Sequence, residues 1–218
     1  MDAAHNRVGV GMTNPQANFH VKGTRRFENA TAGSVTVGSV LSATDTNGTA
    51  EWKTPATETI VGALTGNGID IPFVTSLDYK YTGRSIVLPP GKWAVTITQL
   101  TRTEGTLGNS DWLFVRSTFS DQNIAVGEVG TMSSDLNLNI GPTLMSFRVK
   151  GFSDGSPQQF DVFQGTIIIN NTSGGNKTYR YMAGNTVIGQ GNPNPINATI
   201  KNFGGAWAET NIYATAIK

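Results

Sequence analysis

Cysteine is absent from the 218 residues, histidine occurs twice, and Asp, Glu, Lys and Arg together make up only 14% of the chain. Without cysteine there is no disulfide framework, no thiolate metal site and no cysteine nucleophile, and the redox compartment is left open. Both histidines, His5 and His20, precede the region able to build a core. A His-based triad or a two-histidine metal site in that region of one chain is therefore excluded. No apolar run approaches the roughly 20 residues that cross a bilayer. The opening MDAAHNRVGV lacks a basic region followed by an apolar stretch. Neither membrane insertion nor a visible secretion signal is expected. With 16 basic against 15 acidic residues the net charge is +1, so no charge excess draws in nucleic acid. No cofactor and no metal are expected.

What the chain does contain is glycine, 26 residues of it, with abundant Thr, Asn and Ser. Helical surfaces are normally covered by Lys, Glu and Arg, so this composition predicts strands and turns with little helix. Trp93, Val95 and Ile97 alternate with Thr96 and Thr98, and the same period of two recurs at Trp112, Phe114 and Arg116 against Leu113 and Val115. It recurs again at Phe147 and Val149, at Phe163, Ile167 and Ile169, and at Ile212, Ala214 and Ala216 against Tyr213, Thr215 and Ile217. Turn clusters separate these runs, among them Leu88-Pro89-Pro90-Gly91, Asp154-Gly155-Ser156-Pro157, Ser173-Gly174-Gly175-Asn176 and Gly191-Asn192-Pro193-Asn194-Pro195. Many short strands divided by turns predict an all-β fold, a β-sandwich or jelly roll, over residues 71–218.

The composition breaks before that domain. Residues 8–54 are poor in apolar side chains and rich in small ones, and a segment that short normally needs a metal, disulfides or partner chains to hold a fold. Partner chains are the device left. Three copies wound about one axis would let each thin strand bury its apolar side on its neighbours, with Gly9, Gly11, Gly23, Gly33 and Gly38 permitting close approach. Asp45-Thr46-Asn47-Gly48 predicts a hairpin turn, with Asn-Gly suited to type I′, between strands at Val40-Leu41 and Ala50-Trp52. The resulting division is an attachment peptide at 1–7, an intertwined shaft or neck at 8–54, a connector at 55–70 and a head at 71–218.

Val8-Gly9-Val10-Gly11 through Asn14-Pro15, then Phe19-His20-Val21-Lys22-Gly23, Gly38-Ser39-Val40-Leu41-Ser42 and Asp45 to Trp52, resembles a shaft-and-neck module. Such modules occur in bacteriophage tail and head fibres and in surface proteins of Bacteroidetes-type bacteria. The remainder, with Tyr81-Thr82-Gly83, Leu88 to Trp93 and Gly205 to Ala214, is similar to trimeric jelly rolls of the tumour-necrosis-factor and complement-head type. The resemblance implies an elongated homotrimer on a virion or cell exterior. It also implies a last strand near the threefold axis, with Ile212, Ala214 and Ala216 in the trimer core. It transfers no chemical site.

Gly9-Val10-Gly11 fails as a dinucleotide fingerprint, because Asn14 stands at the third glycine and Pro15 where a helix should run. Asp45, Asn47 and Gly48 mimic half a calcium loop without its closing Glu. Asp111, Asp121, Glu128, Asp135 and Asp161 are the carboxylates to weigh as a sugar-cleaving acid and base, and nothing in their spacing places two in one cleft. His20 alternates with Phe19 and Val21 and is read as solvent-facing, the alternative being a metal ligand at a threefold axis. Tyr179 and Tyr181, which flank Arg180, are a candidate glycan-contact patch.

The expected function is structural and adhesive: a homotrimeric virion fibre, non-enzymatic, whose lead peptide Met1, Asp2, Ala3, Ala4, His5, Asn6 and Arg7 docks on a head or tail protein, with host-surface glycan as a candidate partner of the head. A bacterial surface adhesin or filament tip, and a polysaccharide-degrading enzyme, are the alternatives.

Overall fold

Alternating apolar residues and frequent turns become strands throughout, and no helix occurs among the described residues. The computed structural model describes residues 6–28, 35, 37–53, 59–151, 158–189 and 196–217. Met1 to His5, Gly33 and the turns expected at 154–157 and 191–195 lie outside the described residues. The chain divides into two units, Met1–Ala56 and Thr57–Lys218.

In the first unit, β1 (Val8–Val10) pairs in parallel with β2 (Phe19–Val21), Val8 opposite Phe19 and Val10 opposite Val21. The return between them is held by the Arg7 guanidinium, which donates to the Pro15 carbonyl at 2.9 Å, and by the Gln16 amide, which donates to His20 Nδ1 at 3.1 Å. Arg7, the last residue of the expected attachment peptide, is thus part of the folded unit. His20 is half-buried and serves the turn. Gly11, at φ 74°, lies where a Cβ would stand 2.5 Å from the Lys22 carbonyl oxygen, a close approach within the chain itself, whereas a Cβ at Gly23 or Gly38 would meet nothing within 4 Å.

β3 (Val40–Ala43) and β4 (Ala50–Lys53) form the expected hairpin, with Leu41 opposite Trp52. Its turn is wider than a type I′ turn. That type needs positive φ at both central residues, and of Asn47 and Gly48 only Gly48 has it, at 86°. The Asp45 carboxylate does the closing instead, accepting the amides of Asn47 at 2.9 Å and Thr49 at 3.0 Å. This unit leaves most of its large apolar side chains uncovered: Val8, Val10, Phe19, Phe27, Val35, Val37, Val40 and Leu41 are all exposed, Phe19 to 61%, while Met12, Val21 and Trp52 are half-buried.

The second unit contains β5 (Thr59–Val61), β6 (Ala63–Leu64), β7 (Ile69–Pro72), β8 (Lys80–Leu88), β9 (Gly91–Thr106), β10 (Trp112–Ser120), β11 (Met145–Lys150), β12 (Gln158–Asn171), β13 (Lys177–Gly189), β14 (Asn197–Phe203) and β15 (Asn211–Ile217). They form two packed sheets. One has five strands in the order β11-β10-β13-β8-β6. The other has six, in the order β5-β15-β9-β14-β7 with β12 on the other edge of β9. The antiparallel pairs are nested in the chain: β10 with β11, outside them β9 with β12, then β8 with β13, then β5 with β15. With β7 and β14 paired between the last two of these, β10–β11 and β8–β13 belong to the five-stranded sheet and β9–β12, β7–β14 and β5–β15 to the six-stranded one.

Three expectations are corrected. The segment 55–70, read as a connector, contributes β5 and β6 and the first residues of β7, and the chain changes sheets at Gly62, whose amide donates to the Ile212 carbonyl at 2.7 Å. The trimer-core residues Ile212 and Ala214 are buried in the chain's own core, and Ala216 packs against it. Tyr179 and Tyr181 are 0% exposed, inside the sandwich, so neither can contact a glycan. The last two share a physical reason: a run of apolar residues at period two turns to whichever side is covered first, and the opposite sheet of the same chain covers it. Rings from both sheets meet in the middle, Phe163 on Phe147 at 4.6 Å, Phe147 on Phe203 at 5.6 Å, Phe203 on Tyr181 at 6.1 Å and Tyr181 on Phe119 at 5.4 Å.

Candidate functional site

The inward turn of Tyr179 and Tyr181 sends Thr178 and Arg180 to the outer face of the five-stranded sheet. There, Thr178 and Arg180 of β13, Tyr81 and Ser85 of β8, and Thr65 form the floor of a pocket of about 550 Å³, walled by Ile124, Ala125 and Val126. Arg180 is paired with Ser85 across the strands. Gly83 makes room for Thr65: its φ is 94° and a Cβ would lie 2.3 Å from the Thr65 carbonyl oxygen.

The wall is a loop pinned at both ends. At its start Arg180 donates to the Gln122 carbonyl at 2.7 Å and to Asn123 Oδ1 at 2.5 Å, while its guanidinium lies 5.8 Å from the Tyr81 ring centre. At its end the Tyr81 amide donates to the Glu128 carbonyl at 3.0 Å, and the Gly127 amide to the Tyr81 carbonyl at 2.9 Å. Within it the Glu128 carboxylate accepts the Ala125 amide at 2.7 Å.

Beside the first residue of that loop, Lys177 is gripped by Asp121 at 2.5 Å and Asp135 at 2.7 Å, and the Tyr179 hydroxyl donates to Asp135 at 2.6 Å. The other weighed carboxylates stand apart: Asp111 accepts the Gly108 amide, Glu128 serves its loop, and Asp161 accepts from the Gln159 side chain. Sequence spacing gave no sign that Asp121 and Asp135 meet, because a third residue, Lys177, brings them together. The pair is poorly suited to sugar cleavage. A general acid needs a carboxyl with a raised pKa. Burial does push the Asp121 carboxyl up, but the hydrogen bond and charge of Lys177, the carboxyl's own backbone amide and the Ser133 side chain outweigh it, and the net shift is downward. Lys177 also fills the space between the carboxylates. Among the described residues no three His, Asp or Glu side chains cluster as a metal site.

The network has a stability signature. Hydrogen bonds to Asp121 and then Asp135 raise the Lys177 ammonium above its ordinary 10.5. Its contribution is present below that pH and is lost as pH climbs through the folded value. Asp121 is depressed below its ordinary 3.8, so its contribution is present above that pH and disappears as pH falls through the folded value. Lys177→Met leaves two partly buried carboxylates unpaired and is expected to cost about 1–3 kcal/mol at pH 7. Urea unfolding of both proteins checks this, with the difference constant near neutrality and shrinking in acid; a difference under about 0.3 kcal/mol at pH 7 would place the cluster among inconsequential surface pairs.

The sequence signal for this site was in hand at Tyr179-Arg180-Tyr181, where period two separates an apolar pair from a charge. Opposite sides were the information, and the buried side took the tyrosines. No family model matches the chain, and no curated protein is significantly similar to it.

Proposed function

We propose that this chain is a non-enzymatic structural and adhesive protein of a virion surface: a homotrimer attached to a head or tail protein by its N-terminal residues, with a C-terminal jelly-roll head that meets host-surface glycan. The observation that carries the proposal is the uncovered apolar surface of the N-terminal unit. Exposed Val8, Val10 and Phe19 on the short strands β1 and β2, with exposed Phe27 beyond them, are a cost in a lone chain and a seam between identical chains. The nested pairing of β5 with β15, β8 with β13, β9 with β12 and β10 with β11 supports the jelly-roll assignment of the head.

Within the head the face offered to a second copy is the outer side of the six-stranded sheet. Ile212 and Ala214 being inward, β15 turns Tyr213 and Thr215 outward, beside Ala94, Thr96 and Thr98 of β9 and Thr166 of β12. That strip carries no charge, the composition expected at the centre of an interface. Sedimentation equilibrium of the whole chain is the test. A mass of about 70 kDa, three chains of 23.2 kDa, is expected. A stable monomer at micromolar concentration overturns the proposal.

A further inference from the structure

The pocket on the outer face of the five-stranded sheet combines features that one class of ligand uses together. We infer that it binds a sugar unit bearing an anionic group, with Arg180 taking the anion. The inference rests on reading the C-terminal unit as a glycan-meeting head, and it names where and what that head binds.

Among the described residues, Arg180 is the only charged one lining the pocket. Its two hydrogen bonds to the loop leave three of the five guanidinium donors uncommitted among the described residues. The bonds to Gln122 and Asn123 and the ring of Tyr81 fix the guanidinium before any ligand arrives, so little side-chain entropy remains to be lost on binding. A carboxylate or sulfate accepts paired hydrogen bonds from such a group. The hydroxyls of Thr65, Ser85 and Thr178 line the same space and have no hydrogen-bond partner within the protein among the described residues. A bare inorganic anion would leave these groups unused. A sugar has hydroxyls to match them. Ile124, Ala125 and Val126 supply the apolar wall on which the C–H face of a pyranose ring lies. The volume, about 550 Å³, falls within the range of small-ligand sites and accepts a saccharide end or branch.

The loop is held from β8 and β13 independently of the ligand, so the pocket is formed in the free protein and a simple saturable isotherm is expected. The experiment is a saturation-transfer NMR titration of the full chain with glucuronic acid, N-acetylneuraminic acid and galactose 6-sulfate, and with glucose and galactose as neutral counterparts. Dissociation constants in the millimolar range are expected for the anionic sugars, with the neutral ones about tenfold weaker or undetectable. Comparing the carboxylated and the sulfated sugars shows which anion is preferred. Arg180→Gln is expected to weaken glucuronate or sulfate binding tenfold or more, and Thr178→Val, which keeps the shape and leaves the loop contacts intact, about threefold. Equal binding of glucose and glucuronic acid, absence of saturable signal from all three anionic sugars, or unaltered affinity in both variants overturns the inference. Its fate is separable from that of the fibre proposal. A monomeric chain that binds glucuronate through Arg180 sustains the pocket and removes the fibre. A trimer that binds host cells equally well with and without Arg180→Gln removes the pocket and keeps the fibre.

Discussion

Phe203→Ala is expected to lower the unfolding free energy by about 3–5 kcal/mol, the largest single-residue loss foreseen for this chain. Phe203 is fully buried on β14 of the six-stranded sheet, yet both its ring partners belong to the five-stranded one: Phe147 of β11, stacked at 5.6 Å and 12°, and Tyr181 of β13 at 6.1 Å and 26°. Its ring is therefore a contact between layers, and truncation removes apolar burial and two aromatic pairings together while leaving a cavity the sheets cannot close without moving their backbones. The hydroxyl of Tyr181 is committed to Ser117 at 2.8 Å, which hinders that ring from swinging into the gap. A loss of this size is about a fifth or more of the roughly 5–15 kcal/mol that holds a typical domain together. Urea unfolding followed by circular dichroism at one fixed chain concentration measures it, since association would make apparent stability depend on concentration. Phe160→Ala, at a residue 52% exposed, is the comparison, expected to change stability by no more than about 0.5 kcal/mol in a monomer. A loss under about 1 kcal/mol for Phe203→Ala would mean that the two sheets do not meet through this ring.

If the chain is the proposed trimer, placing arginines on the uncharged strip of the six-stranded sheet, as Thr96→Arg with Thr166→Arg, is expected to lower its mass from about 70 kDa toward that of single chains of 23.2 kDa. Thr96 and Thr166 are directly opposite one another on β9 and β12, their hydroxyl oxygens 3.2 Å apart, in the middle of the face proposed to meet a neighbouring copy. A guanidinium buried there without a carboxylate partner costs several kcal/mol per chain, and each 1.4 kcal/mol is a factor of ten in association. Both positions face outward, so the sandwich core is untouched and far-ultraviolet circular dichroism should be that of the parent. Thr96→Ser with Thr166→Ser should remain trimeric. A double-arginine variant that stays trimeric would move the interface off this strip and leave the exposed apolar residues of the N-terminal unit as the association surface.

Period-two alternation was legible wherever a strand had one covered side: Val95 and Ile97, Phe147 and Val149, and Ile167 and Ile169 are all inside, as their spacing predicts. The Asp45–Gly48 hairpin was legible because its hydrogen bonds are local, although the type of turn was not, since Asp45 could outcompete the two-residue geometry. The short strands at 59–64 were not legible. With three residues and two, they have almost no pattern of their own and are strands because β15 and β8 offer them free edges.

By itself the sequence determined that this is an all-β protein without disulfides, with a thinly apolar N-terminal segment and a larger sheet-built domain, because composition and alternation act over a few residues. Which layer an alternating run faces is decided by what lies across from it, and only the tertiary structure supplied that. It turned Ile212, Ala214, Tyr179 and Tyr181 into the core, closed Asp121 and Asp135 around Lys177, and left Arg180 on the surface beside the hydroxyls of Thr65, Ser85 and Thr178. Those juxtapositions join residues far apart in the chain, and long-range pairing of strands, which no local spacing encodes, brings them together.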